Sequence, residues 1–371
     1  MQPSHRGAFS LKVLPNKGIP AMKVVHFAIG VAAAAMIMPA AAHAADPITV
    51  TVGGWVRQYF YAADQTERAG EDINATGMFT DARLAFDGRT VLDNGITVRA
   101  YLRFNAKPRE TSNLDEGFVE IIHSLGRVRV GERAGVNYSI LGDPVPQAFL
   151  SPYEEVMGDA LLARNGITLR DAFTFKRFTG NALGISYQSP EIGGIQVGVT
   201  YHPTPRSWEG PVNRALMPSN AVDVTAKYEG DYGYGTYRVT SGYFRSDSRI
   251  GGNDGVEAWN VATGVTYGGW ELAAAYIDAM PDSGLDEQAW TVGLFYAIGP
   301  VQLSADYREA KRRAISGFDA FEFTDRITLQ SAYKLGPGIS VGVAAFYGDQ
   351  TDATGLQWDG GGLLSGLKVD F

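Results

Sequence analysis

The sequence predicts an all-β fold, a transmembrane antiparallel β-barrel of sixteen strands, on three observations. Apolar and polar residues alternate with period two in segment after segment, as in a strand with lipid on one side and water on the other. The connections between those segments are short and long by turns, the layout of a barrel that crosses a membrane. After the N-terminal leader, no stretch reaches the roughly 18 consecutive apolar residues of a membrane helix. Lipid tolerates only helices and closed barrels, because every backbone polar group must be paired within the structure.

The N-terminus reads as an export signal. Met22-Lys23 is a basic start, Phe27 to Met38 an apolar run, and Ala42-His43-Ala44 a small-x-small cleavage site. Cleavage is expected after Ala44, which makes 1–44 a signal peptide and 45–371 the barrel. Residues 1–21 contain no apolar core, so Met22 is the favoured start and a long basic leader the alternative. Removing 1–44 takes away Arg6, Lys12, Lys17 and Lys23 and no acid. The balance of 32 basic and 40 acidic residues becomes 28 against 40, a net charge of −12. That excludes a polyanion such as nucleic acid as the expected partner. With no cysteine in an exported chain, stability must come from a large hydrogen-bonded fold, either a periplasmic β protein or an outer-membrane barrel.

The first alternating segment, 50–60, sets Val50, Val52, Gly54, Val56 and Phe60 against Thr51, Gly53, Trp55, Arg57 and Tyr59. The second, 81–88, is joined to the third, 96–105, through a tight Asp93-Asn94-Gly95 turn. In the third, Ile96, Val98, Ala100, Leu102 and Phe104 oppose Thr97, Arg99, Tyr101, Arg103 and Asn105. Further strands are expected at 116–123, 127–133, 181–188, 195–202, 221–228, 234–245, 256–267, 270–278, 287–298, 301–310, 324–335, 339–348 and 362–371. Strand ends are the least determined feature, so fourteen or eighteen strands stay open. Among the long connections, 134–180 is much the longest. The last strand sets Leu363, Leu367, Val369 and Phe371 against Leu364, Gly366, Lys368 and Asp370. Aromatic residues near strand ends (Tyr59, Phe60 and Tyr61; Tyr243 and Phe244; Tyr267 and Trp270; Phe346 and Tyr347) suit an interfacial girdle, or equally ordinary cross-strand pairs.

Several stretches resemble the Gram-negative general porins. They are Arg83-Leu84-Ala85-Phe86-Asp87-Gly88 with Leu92-Asp93-Asn94-Gly95, and Gly126-Arg127-Val128-Arg129-Val130-Gly131-Glu132-Arg133. The third runs from Arg177 to Gly194 and includes Asn181, Tyr187, Ser189, Pro190 and Gly194. The alphaproteobacterial-like branch is the closer match, because a Pro-Glu-Phe-Gly-Gly-type motif is absent from 134–180. Asp143-Pro144 and Tyr153 to Asp159 stand there instead. The resemblance implies a homotrimer in the outer membrane of a Gram-negative bacterium, among its lipid and lipopolysaccharide. It implies that the third long loop folds into the barrel, and that small hydrophilic solutes and ions diffuse passively through a water-filled channel. It also implies that the terminal Phe371 closes the barrel and is favoured by the barrel assembly machinery.

Charge on a lipid face costs a few kcal/mol near mid-membrane, so the strand arginines must face the lumen. Arg57, Arg83, Arg99, Arg103, Arg127, Arg129 and Arg133 would form a basic wall, and Asp143, Glu154, Glu155 and Asp159 an acidic loop across from it. Acid facing base across the gap makes a transverse field that orients dipolar solutes. The plainer alternative is lumen charges that pair with one another. Glu120 breaks its strand's pattern, and its direction is open.

No enzyme is expected. His123 and His202 are the only histidines after residue 44, at a strand end and a loop mouth, and both suit a surface position. No metal motif appears and no cofactor is expected, although loop acids such as Asp247, Asp254, Asp349 and Asp352 could hold Ca²⁺ loosely. A substrate-specific porin and a non-conducting structural or anchor barrel remain the alternatives to a general channel.

Overall fold

The structure is a computed structural model. It describes residues 47–67, 69–106, 114–150, 161, 179–206, 209–247, 256–281, 286–313, 321–352 and 355–371. The expected leader and its cleavage point lie outside the described residues.

Sixteen strands follow one another: β1 (Thr49–Gln65), β2 (Thr76–Val91), β3 (Thr97–Asn105), β4 (Leu114–His123), β5 (Gly126–Arg133), β6 (Ala182–Gln188), β7 (Ile195–His202), β8 (Ser219–Asp231), β9 (Thr236–Asp247), β10 (Val256–Tyr267), β11 (Trp270–Pro281), β12 (Asp286–Ile298), β13 (Val301–Arg313), β14 (Phe321–Gly336), β15 (Ile339–Asp352) and β16 (Gln357–Asp370). Each pairs antiparallel with its neighbours in sequence, and β16 returns to β1. The closure leaves no sheet edge, which an open sheet in lipid could not tolerate. Phe371 completes the seam: its N–H and C=O both bond to Gly54 of β1, each at 2.9 Å.

The faces divide as the alternation requires. Val50, Val52, Val56 and Phe60 of β1 are exposed outward, and Leu363 and Leu367 of β16 likewise, while Tyr59, Leu364 and Lys368 are buried inward. Neighbouring aromatics therefore split. Phe60, Tyr243 and Tyr347 lie on the outer surface, whereas Tyr59, Phe244 and Phe346 are buried. At one rim the turns are tight. Gly268 and Gly269 join β10 to β11 with φ of 53° and 88°, the left-handed pair that suits the twist of a two-residue hairpin.

Two results differ from expectation. Many strands are longer than their sequence pattern, as in β2, expected over 81–88. Beyond the apolar belt both faces of a strand meet water, so alternation fades while the hydrogen-bond ladder continues. The long connection after β5 also carries a single helical turn and a half, α1 (Val136–Leu141), between Gly135 and Gly142. Six residues are too few to print a helical period.

Two of the buried apolar clusters join that connection to the inner wall. Phe149, Leu150 and Leu161 pack with Tyr59, Ala332, Ala344, Phe346 and Leu364. Leu141 packs with Ala262, Ala275, Ile277, Ala289 and Ala310.

Candidate pore constriction

The connection after β5 enters the barrel because the wall satisfies its backbone. The N–H groups at the start of α1 have no helical partners of their own. Val136 N–H donates to Thr200 Oγ1 (2.9 Å) and Asn137 N–H to Asp223 Oδ2 (3.0 Å). The Asn137 and Asn260 amides bond reciprocally at 3.2 and 3.1 Å. Gly242 makes room for that pair, since a Cβ there would overlap the Asn137 amide. Farther along, Ala148 N–H donates to Ser304 Oγ (2.9 Å), and Phe149 and Leu150 N–H both donate to Gln330 Oε1 (3.0 and 2.6 Å). Gln147 Nε2 donates to Asp306 Oδ1 at 2.6 Å. Lys368 Nζ donates to the Phe149 carbonyl, and the Phe149 ring meets Tyr59 edge-on at 6.0 Å over Gly342. The connection thus follows the inner wall from β7–β10 past β13 and β14 to β15, β16 and β1.

The arginines named from sequence all stand on lumen-facing positions of β1, β2, β3 and β5, and most pair with carboxylates of their own wall. Arg57 Nη2 lies 3.1 Å from Asp370, and Arg83 Nη1 lies 2.8 Å from Asp115. Arg99 bonds Asp87 through Nε (2.9 Å) and approaches Glu120 at 3.5 Å. Arg103 meets Asp115 (2.6 Å) and Glu116 (2.7 Å), and Arg133 approaches Glu116 at 3.8 Å. Arg129 places Nη2 2.6 Å from Glu120. Among the described residues Arg127 makes no ion pair. The register explains the order: Arg99 stands opposite Glu120 and Glu120 opposite Arg129, so three adjacent strands carry a base–acid–base row.

Two aromatic rings hold the guanidinium planes. Trp55 has Arg57, Arg83 and Arg103 at 4.7, 5.1 and 5.9 Å from its ring, and donates its Nε1–H to Asp81 at 2.8 Å. Phe118 has Arg129, Arg133 and Arg99 at 4.6, 5.2 and 5.4 Å. Stacked and ion-paired guanidiniums have few rotamers left, so the wall is a rigid pattern of charge rather than a brush of mobile side chains.

Glu120, undirected by its sequence, points inward and is fully buried. Asp81, Asp87, Asp115 and Glu116 were missed as wall residues. Strand parity alone could have found Asp81 and Asp87, which share a face with Arg83. Asp143 is exposed at the end of the α1 turn, while Glu154, Glu155 and Asp159 lie outside the described residues. His202 is corrected: it is buried, not at the surface, with Nδ1 3.1 Å from the Leu183 carbonyl. Its parity turns it into the barrel, where the Gly184 backbone leaves space for the ring. His123 sits at the end of β4, beside Ser124. Asp349 lies on β15 and Asp247 ends β9, where Arg214 lies 3.3 Å away. Asp254 lies outside the described residues. Among the described residues, no group of three or more acids or histidines is placed to hold a metal.

The sequence profile of the Gram-negative porins matches residues 30–353. Solved structures share the fold at low identity. OmpF of Salmonella typhi, in complex with daunomycin, superposes with a TM-score of 0.64 at 16% identity, covering 89% of this chain and 100% of its own. An anion-selective porin from Comamonas acidovorans gives 0.63 at 16%, covering 88% and 100%. The trimer form of OmpT from Vibrio cholerae gives 0.60 at 14%, covering 88% and 100%. No curated protein sequence matches significantly.

Proposed function

The chain belongs to the Gram-negative porins, and on that premise we propose that its selective element is a charged slit between the arginine wall of β1–β5 and the loop that begins at Ala134. It is a multi-pass outer-membrane barrel through which small solutes diffuse passively. The observation that carries the slit is the path of residues 135–150, pinned by wall side chains along the inner face. A sixteen-strand barrel is wide enough for water, so an inward loop is what sets a size limit. Charge at the slit acts within one Debye length, about 8 Å at physiological salt, and outweighs the acidic outer loops. Among the described residues the seven arginines of this wall outnumber the six carboxylates paired with them, so the slit favours small anions, as the name of the Comamonas porin says of that protein. Internal pairing keeps the preference weak. Wild-type protein in a planar bilayer is expected to pass an ohmic current that scales with salt. Deleting 140–160 should raise its conductance roughly twofold, since the barrel itself is far wider than the slit. An unchanged conductance in the deletion would overturn the loop's role, and a silent wild type would overturn the channel.

The outer face supports a homotrimer. Thr80 Oγ1 donates to Gln58 Oε1 at 3.0 Å on the outward side of β2 and β1, where a polar amide facing lipid is costly. Ser331 and Ser365 line the same shallow groove with Phe60, Val343 and Leu367. Cover by a second copy removes that cost. A heat-sensitive trimer is expected on semi-native gels, and Gln58→Lys should dissociate it. A trimer that survives Q58K would move the interface elsewhere. The same geometry supports a channel without catalysis, because the buried ring of His202 faces a backbone carbonyl rather than a nucleophile.

A further inference from the structure

One arginine of the wall stands apart from the rest. Arg57, Arg83, Arg99, Arg103, Arg129 and Arg133 each meet a carboxylate, and each lies over the ring of Trp55 or Phe118. Arg127 does neither. It is half-buried, and among the described residues its side chain makes no hydrogen bond, ion pair or ring contact. Its five N–H groups are therefore left for water or for a solute.

Register supplies its neighbours. Arg127 stands opposite Ile122 of β4 on one side and Gln188 of β6 on the other. Gln188 shares the inward face, is buried, and makes no side-chain hydrogen bond among the described residues. It stands in turn opposite Gly198 of β7, where a Cβ would strike Val136 and Ile140 of α1. Arg127 thus lies two strands, about 10 Å, from the place where the inward loop packs on the wall, at the edge of the slit. Little competes for it there. The six residues of α1 carry no charge. Glu120, a diagonal neighbour across β4 and β5, is already held by Arg129 and Arg99.

A free guanidinium fork matches one kind of anion. A carboxylate is planar and takes two parallel N–H bonds, whereas a spherical halide answers the charge alone. An amide on the adjoining strand offers a further donor. We propose, on the reading of wall and loop as a slit, that Arg127 and Gln188 form a transit subsite for the carboxylate of small organic acids. Arg127 donates to both carboxylate oxygens and Gln188 Nε2 to one of them. A solvated pair of this kind is weak, so the solute is held in passing and released, as conduction requires.

The test uses the whole protein in a planar bilayer, with potassium acetate as the probe and potassium chloride as the reference. Conductance is followed from low to high salt. In the wild type it should level off in acetate, as transit through an occupied site does, and keep rising in chloride. Arg127→Lys keeps the charge and loses the fork. It should raise the half-saturating acetate concentration roughly fivefold, the upper range for a solvated ion pair. Gln188→Met removes the amide at similar length and should raise it about twofold, as the loss of one neutral hydrogen bond does. A wild-type acetate curve as linear as the chloride curve would overturn the subsite. So would equal half-saturation in wild type and R127K, which would leave charge alone as the attraction. The slit is judged separately by the 140–160 deletion, whose conductance rises if the loop narrows the pore, whatever acetate does. If R127K does not fold, the wild-type curve and Gln188→Met decide.

Discussion

Glu120→Ala is expected to destabilise the barrel by about 3–5 kcal/mol, the usual cost of removing one partner from a buried ion pair. Glu120 is fully buried between Arg129, which donates to its Oε1 through Nε and Nη2, and Arg99 on the other side. Its removal leaves two guanidiniums, on β3 and β5, facing each other across the place that Glu120 of β4 filled, and among the described residues Arg99 keeps one carboxylate, Asp87. Most of the penalty comes from the uncompensated buried cations rather than from lost packing. Glu120→Gln keeps the shape and two acceptor lone pairs, so it should cost less while still losing the charge. Denaturant unfolding of the refolded protein in detergent gives both values. A loss below about 1 kcal/mol in Glu120→Ala would show the row to be solvated, as a surface pair is.

Arg99→Ala combined with Arg103→Ala is expected to reverse the ion preference of the pore. The two side chains hold Asp87, Asp115, Glu116 and part of Glu120. Deleting them removes two positive charges and uncovers carboxylates that they now neutralise. The wall passes from an excess of base to an excess of acid within a Debye length of the slit. The zero-current potential in a tenfold salt gradient should move toward cation preference by tens of millivolts at low ionic strength and by less at high salt. Glu154→Ala with Glu155→Ala should move it the other way. Unchanged potentials in both variants would show that these charges lie away from the ion path. Because paired acids remain to stabilise the neighbouring arginines, the double arginine variant should still fold to a heat-modifiable barrel, which circular dichroism checks.

Much of the architecture was legible in the chain. All sixteen strands were located, and the arginines Arg57, Arg83, Arg99, Arg103, Arg127, Arg129 and Arg133 were assigned to the inner face from parity alone. The period of a strand is two, and charge on lipid is expensive, so local pattern decides which way each side chain points. The same logic should have drawn in Asp81 and Asp87. It could not direct Glu120, whose strand begins with a register shift opposite Arg103 and Phe104. It erred on His202, because the residue before Pro203 is still the last of β7, and its parity turns the ring inward against Leu183 and Gly184 of the neighbouring strand, where it is buried.

What the sequence determined by itself was the period, the inward set of charges, the one connection long enough to fill a barrel and the terminal aromatic strand. These are properties of short windows, each governed by backbone geometry and the cost of burying charge. Only the tertiary structure decided which charges meet. The partners of Arg99, Arg103 and Arg129 depend on strand register, and a slip of one residue would turn each face around. The loop's path depends on contacts between residues as distant in sequence as Phe149 and Gln330, or Phe149 and Lys368. Those pairings follow from the closure of sixteen strands into one ring, which sets distant side chains at a common depth, and no local pattern encodes that depth.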